Sequence, residues 1–286
     1  MRERFFPRKP AQDLAAQMPP LMTLARQTAF QILQGPHGLR KAGGGESFWQ
    51  FREYQSGDSL QTLDWRQSGK TDRLFVRQKE QQKAQSFTLW CKNTEDMDFT
   101  SDPARLTKGQ TASVLALALA LLHTNAGEMV GYSDILRAGH SEKTIAQIED
   151  ALLKPHARES LPPLALATLP RHAGLYCLSD FLETPEEILE RLTPLSPKTH
   201  NICLIQILDP AEITLPYTGR IVFESPSGRN ETLTQNAKAV QIAYQNKIMN
   251  HIQNIKNLCQ ASGWKHILCR TDEPLTRPLL ELYRVI

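Results

Sequence analysis

Residues Ser86–Cys91 read SFTLWC, and Lys92–Phe99 continue as KNTEDMDF. The first run is an apolar strand. The second is a loop carrying the hydroxyl of Thr94 and the carboxylates of Glu95, Asp96 and Asp98. Oxygen-bearing side chains delivered by a strand end are the makings of a hard-metal site. Yet Lys92 stands at the first position past the apolar run, where a metal loop least tolerates a cation. Either this loop holds a metal despite the lysine, or it is built to do without one.

Working outward, strands and helices alternate. Strand-like runs recur at Met129–Ile135 (MVGYSDI), Gly174–Phe181 (GLYCLSDF), Asn201–Leu208 (NICLIQIL) and Lys265–Arg270 (KHILCR). Between them the sequence predicts helices over Gln110–His123 and Ser141–Leu153. Another starts at Thr184-Pro-Glu-Glu187, a capping box with proline at the first helical position. A long amphipathic helix is predicted over Asn236–Ser262, with Val240, Tyr244, Ile248, Ile252, Ile255 and Cys259 on its apolar side and Gly263 at its end. This order argues an α/β fold, a mostly parallel sheet flanked by helices. The motif Ser225-Pro-Ser-Gly228 interrupts it and predicts a β-hairpin insertion near residues 217–235.

Before the α/β part (residues 86–286) two segments differ in texture. Residues 1–42 form an N-terminal helical segment, with helix-like spacing over 11–34. Residues 43–85 form a small β-rich region, in which Phe48, Phe51, Tyr54, Leu74 and Val76 alternate with charged residues between glycine turns.

Composition narrows the function. The chain has 286 residues, 41% hydrophobic and 22% charged, with a net charge of +3, too small to argue for nucleic acid. The basic stretch Arg66–Lys83 reads as a solvated strand face. Five cysteines form no zinc-like spacing and fit a core in a reducing compartment. The most apolar run, Ala112–Leu122, has about half the length that spans a bilayer. The basic N-terminus lacks a signal-peptide core, so a cytoplasmic protein without a membrane span is expected. Ser68-Gly69-Lys70-Thr71 ends like a phosphate loop, but Asp64 stands where that loop needs glycine. There is no HExxH and no GxSxG, and His123 and His251 read as structural or exposed.

Two clusters remain. Phe48, Trp49, Arg52, Tyr54, Asp58, Asp64, Trp65 and Arg66 are either a rigid unit of ring-shielded ion pairs or a partner-binding surface. Asn93–Asp98 and Asp180 lie at strand ends, where open α/β sheets place ligands. There they are either Mg²⁺ ligands or caps of the following helices.

Both clusters resemble one family. The run Gly43–Tyr54, then Gly57-Asp58-Ser59, Leu63–Ser68, Phe75-Val-Arg77 and Glu80 is similar to the signature of domain-of-unknown-function family 58. Leu178–Phe181, Leu208–Glu212, Leu215-Pro-Tyr217 and Thr271-Asp272 continue it. The resemblance implies a von Willebrand factor A-like, Rossmann-type domain beside a small β region. It also implies an adaptor role with a MoxR-type AAA+ ATPase and a client protein. Such A-type domains bind a divalent cation through a triad after the first strand and a later aspartate. Those positions fall here on Lys92, Thr94 and Asp96, and on Asp180. An ammonium about 4 Å from Mg²⁺ is repelled by several kcal/mol at an effective dielectric of about 20. The resemblance therefore implies a degenerate metal site, without cofactor, in which Lys92 pairs with Asp96 or Asp180. The leading expectation is a non-catalytic adaptor. The alternative is a metal-dependent hydrolase or phosphoryl-transfer enzyme using Asp96, Asp98 and Asp180. Nucleic-acid binding through Arg66–Lys83 is the least supported reading.

Overall fold

Apolar strands that must be covered on both faces need helices on both sides, and the chain supplies them in order. The structure, a computed structural model, describes residues 23–32, 48–55, 63–70, 73–79, 85–133, 135–153, 160–163, 173–196, 199–217, 219, 221–224, 231–234 and 237–283. It divides into two compact units, residues 40–84 and residues 1–39 with 85–286.

The larger unit begins with helix α1 (23–32). It continues with β3 (Ser86–Cys91), α3 (Lys108–Asn125), β4 (Met129–Tyr132), β5 (Leu136–Gly139), α4 (Glu142–Leu153) and β6 (Ala173–Ser179). Then come α5 (Pro185–Leu192), β7 (Thr199–Leu208), α6 (Pro210–Thr214), β8 (Ile221–Glu224), β9 (Glu231–Thr234), α7 (Ala237–Ala261), β10 (Lys265–Arg270) and α8 (Thr276–Tyr283). The smaller unit holds β1 (Phe48–Glu53), α2 (Trp65–Ser68) and β2 (Phe75–Lys79).

Six strands form one sheet in the order β10-β7-β6-β3-β4-β5, parallel except for the β4–β5 pair. This is a Rossmann-type α/β arrangement, a mostly parallel sheet flanked by helices. Successive side chains alternate between its two cores, as strand geometry requires. From β3, Phe87, Leu89 and Cys91 enter the core made with α1, α3, α4 and α8, while Trp90 enters the core made with α5 and α7. All residues of β6 are buried, the mark of a parallel strand covered on both faces. Ala25, Ala29 and Ile32 of α1 join the first core; the rest of the segment expected as helix over 11–34 lies outside the described residues.

The helix starts follow local chemistry. Capping boxes open α3 (Thr107, Gln110), α5 (Thr184, Glu187) and α6 (Asp209, Glu212), and Gly263 ends α7 at φ 70°. Val222 pairs with Leu233 in the antiparallel β8–β9 hairpin; the turn at Ser225–Gly228 lies outside the described residues. The strand expected over Met129–Ile135 ends at Tyr132 as β4; Ser133 turns at φ 50°, and the antiparallel β5 begins at Leu136. Gly131 permits this reversal, since a Cβ there would sit 2.6 Å from Leu136 O. No helix among the described residues is long and apolar enough to cross a membrane. His123 is a core residue, with Nδ1 2.5 Å from Glu128 and Nε2 3.1 Å from Tyr176. All five cysteines are buried and free. Burial pushes the Cys91, Cys203, Cys259 and Cys269 thiols up to about 12, which leaves them unreactive.

In the smaller unit β1 and β2 pair antiparallel, with Glu53 opposite Phe75. Leu63 adds a bridge to Val76.

Candidate functional site

The chain leaves β3 for β4 on one side and returns through β6 on the other. The topological switch point therefore lies between the C-terminal ends of β3 and β6, where open α/β sheets hold ligands. The residues that emerge there are Lys92 and Asp180. Backbone pairing continues past the strand end, with Lys92 N–H donating to Leu178 O at 2.9 Å.

A largely buried ion network fills the position. Lys92 Nζ donates to Asp180 Oδ1 at 2.7 Å and to Glu183 Oε1 at 3.0 Å. Lys108 Nζ, from the first turn of α3, donates to Asp180 Oδ2 at 3.0 Å and to Glu212 Oε1 at 2.6 Å. Asp180 thus spends each carboxylate oxygen on a different ammonium. Exposure is 4% for Lys92, 1% for Lys108 and 0% for Asp180. Around them the loops are tied in turn. Glu212 Oε2 accepts from Asp209 N–H at 2.8 Å, and Asp209 Oδ2 accepts from Ser101 N–H at 3.0 Å and from the Thr271 hydroxyl at 3.3 Å.

The charges hold one another in place. Burial pulls the Lys92 pKa down, but Asp180 and Glu183 more than reverse it. Burial likewise opposes the Lys108 ammonium, and Glu212 and Asp180 outweigh it, so both lysines lie above their usual value. Burial would lift Asp180, yet the two ammonium groups keep it below the usual carboxylate value. For Glu212 burial prevails over Lys108 and the pKa is raised, which makes it the first of these two acids to take a proton.

The sequence-derived candidates divide accordingly. The structure brings Lys92 and Asp180 together, with Asp96 Oδ2 at the margin, 3.8 Å from Lys92 Nζ and half exposed. Thr94 stands at the N-cap of the short 3₁₀ turn Glu95–Asp98 but makes no side-chain cap bond. Its hydroxyl is buried without a partner among the described residues. Asp98 is exposed. Lys108, Glu183 and Glu212 were not among the candidates. One sign of Lys108 was available: a lysine in the first turn of an apolar helix faces the positive end of the helix dipole, so it needs buried carboxylates nearby. In the smaller unit Asp64 caps α2, accepting from Gln67 N–H at 2.9 Å, and Trp65 and Arg66 are exposed while Tyr54 is half-buried. Phe48, Trp49 and Arg52 lie on β1, but their side chains, like Asp58, lie outside the described residues.

This donor set does not fit a divalent cation. Where the first carboxylate ligand belongs there is an ammonium, and both oxygens of the remaining aspartate are engaged by cations. A further dication at that spot would meet two positive charges within bonding distance of its only buried ligand. Among the described residues no three His, Cys, Asp or Glu side chains are grouped to hold a metal. Beside Lys92 lies a cavity of about 40 Å³, lined in part by Cys91, Met97, Gln110, Ser113 and Tyr132. It has room for a few waters and not for a substrate.

Residues 50–254 match the family described as "Protein of unknown function DUF58". The chain belongs to the DUF58 family. The match takes in the network of this DUF58 chain from Lys92 to Glu212. Two similar proteins are the uncharacterized protein Mb1516 of Mycobacterium bovis and the uncharacterized protein Rv1480 of Mycobacterium tuberculosis. Each is 25% identical over 226 residues, covering 74% of this chain and 70% of the relative. No solved structure matches.

The DUF58 network connects outward to β10. Gln206, fully buried, donates through Nε2 to Asp180 O at 3.0 Å, and His266 Nε2–H donates to Gln206 Oε1 at 3.0 Å. Burial first, then Lys256, pulls the His266 pKa down to about 4. A folded pKa below the unfolded value of about 6.5 means that unfolding takes up a proton between these limits. Stability from this residue is therefore complete above pH ~6.5 and lost as pH falls toward ~4. On the order of 2 kcal/mol is expected to disappear over that window, allowing for partial solvation. Urea titrations across it should show a shallower decline for His266→Gln than for the wild type.

Proposed function

We propose that this chain is a non-catalytic, protein-binding adaptor that works with a MoxR-type AAA+ ATPase on a client protein in the cytoplasm. One observation carries the reading. The switch-point crevice, where a related fold would hold a catalytic or adhesive metal, is filled by Lys92, Asp180 and Lys108 paired to one another out of solvent. A site so closed offers no general base, no nucleophile with a partner and no metal ligand to a substrate. The family resemblance adds the ATPase and the client. The alternative, a metal-dependent hydrolase using Asp96, Asp98 and Asp180, requires Asp180 to release two ammonium groups before it binds anything. That release would cost several kcal/mol.

Affinity purification of the full chain from its own cells, with nucleotide locked on any ATPase, tests the adaptor. Recovery of an AAA+ ATPase is expected. If none co-purifies with or without locked nucleotide, the adaptor reading fails.

A further inference from the structure

Trp65 is 67% exposed, an unusual place for the residue with the most apolar surface to bury. Its turn is nonetheless built with care. Asp64 N–H donates to Phe75 O at 2.8 Å, the Ser68 hydroxyl donates to Asp64 O at 2.8 Å, and Phe75 N–H donates to Ser68 Oγ at 2.8 Å. These bonds stitch α2 to β2 through backbone, Asp64 and Ser68. None uses the indole. The local fold is specified without the tryptophan, so its packing does not explain it.

The neighbours of the indole give its chemistry. At roughly 100° per residue, Gly69 falls about 40°, Arg66 about 100° and Lys70 about 140° around the turn from Trp65. Ser68, on the other side, is buried. Gly69 leaves the surface beside the indole open; a Cβ there would already press on Trp65 O at 3.2 Å. Arg66 and Lys70 are exposed and make no ion pair among the described residues. The charge of the unit points the same way. Residues 40–84 hold nine Lys or Arg and six Asp or Glu, so the whole chain's net +3 resides there and the remainder is balanced.

We propose that the Trp65 turn is the docking surface for an acidic protein segment, with an aliphatic side chain against the indole and flanking carboxylates on Arg66 and Lys70. This rests on the adaptor reading and names the chemistry its partner must present. An exposed tryptophan on a hydrogen-bonded turn, with an arginine beside it, has the composition of an interface hot spot. Nucleic acid fits less well. Among the described residues the arc offers two cations without an ion pair, Arg73 is engaged by Glu53, and affinity for a phosphate backbone grows with the number of phosphates neutralised.

The test uses the full chain and fluorescence anisotropy at physiological salt with three labelled probes. They are a peptide of alternating Leu and Glu, the same peptide with Gln for Glu, and a single-stranded oligonucleotide. The Glu peptide is expected to bind saturably and the Gln peptide at least about tenfold more weakly. Trp65→Ala and, separately, Arg66→Glu with Lys70→Glu should each weaken the Glu peptide by about tenfold or more, with unchanged thermal unfolding. The proposal is overturned if no saturable binding occurs, if the Gln peptide binds equally, if both variants bind as wild type, or if the oligonucleotide binds more tightly. Co-purification separates the two readings. If Trp65→Ala binds the Glu peptide and recovers the ATPase as well as wild type does, this surface is wrong and the adaptor stands. If wild type recovers none while Glu-peptide binding depends on Trp65, the docking chemistry stands and the adaptor reading falls.

Discussion

Asp180→Asn is expected to destabilise the protein by about 3–5 kcal/mol, the cost of breaking a buried ion pair from one side. The substitution keeps the shape and removes the charge that neutralises Lys92 and Lys108. Among the described residues Lys92 would then rely on Glu183 and the marginal Asp96, and Lys108 on Glu212. Total stability of a domain is of order 5–15 kcal/mol, so the loss is a large share of it. Urea denaturation at neutral pH reads the effect directly. Acid adds a second signature. Because the folded pKa of Asp180 is depressed, its contribution is present above the usual carboxylate value and lost as pH falls below it. The wild type should show that limb and Asp180→Asn should lack it. A loss under about 1 kcal/mol, the range of an exposed pair, would mean that the network is not the buried one described.

Removing Lys108 should be costly in the wild type and cheap once Asp180 is apolar. Lys108→Met strips Asp180 of one of its two cations and leaves the Glu212 carboxylate facing it across the gap. A loss of about 3 kcal/mol is expected, again from an uncompensated buried charge. With Asp180→Leu already in place, the same substitution removes a lysine that has lost its most buried partner. Glu212, whose pKa burial has already raised, can then take up a proton. The coupling measured by the double-mutant cycle is expected to be about 1–3 kcal/mol. Extending the replacement to Lys92→Met should restore stability toward the wild type, since a packed apolar substitute for a buried ion network is often neutral or better. Additive effects would show that Lys108 and Asp180 act independently.

The sequence revealed some of these residues for a physical reason and hid others. Lys92 and Asp180 were legible because each follows an apolar strand, and strand ends are where an open sheet does its chemistry. Thr184 and Gly263 were legible because helix ends have local signatures. Lys108, Glu183 and Glu212 were not: they come from separate loops and helices, and only the sheet order brings them to Asp180. Helices α6 and α8 have five and eight residues, too few for periodicity to declare itself. The β4–β5 reversal turned on Ser133 and Gly131, neither of which is a strong turn signal in isolation. Asp64 read as one acid of an aromatic ion-pair cluster; that it also caps α2 was not read from the sequence.

Lys92 and Lys108 occupy both carboxylate oxygens of Asp180, so no divalent cation is expected to bind beside it. The decisive experiment is thermal unfolding of metal-stripped protein, followed through a titration with Mg²⁺ and then Mn²⁺. The predicted result is an unfolding temperature that does not rise saturably with either ion. A saturable rise that disappears in Asp180→Ala would contradict it.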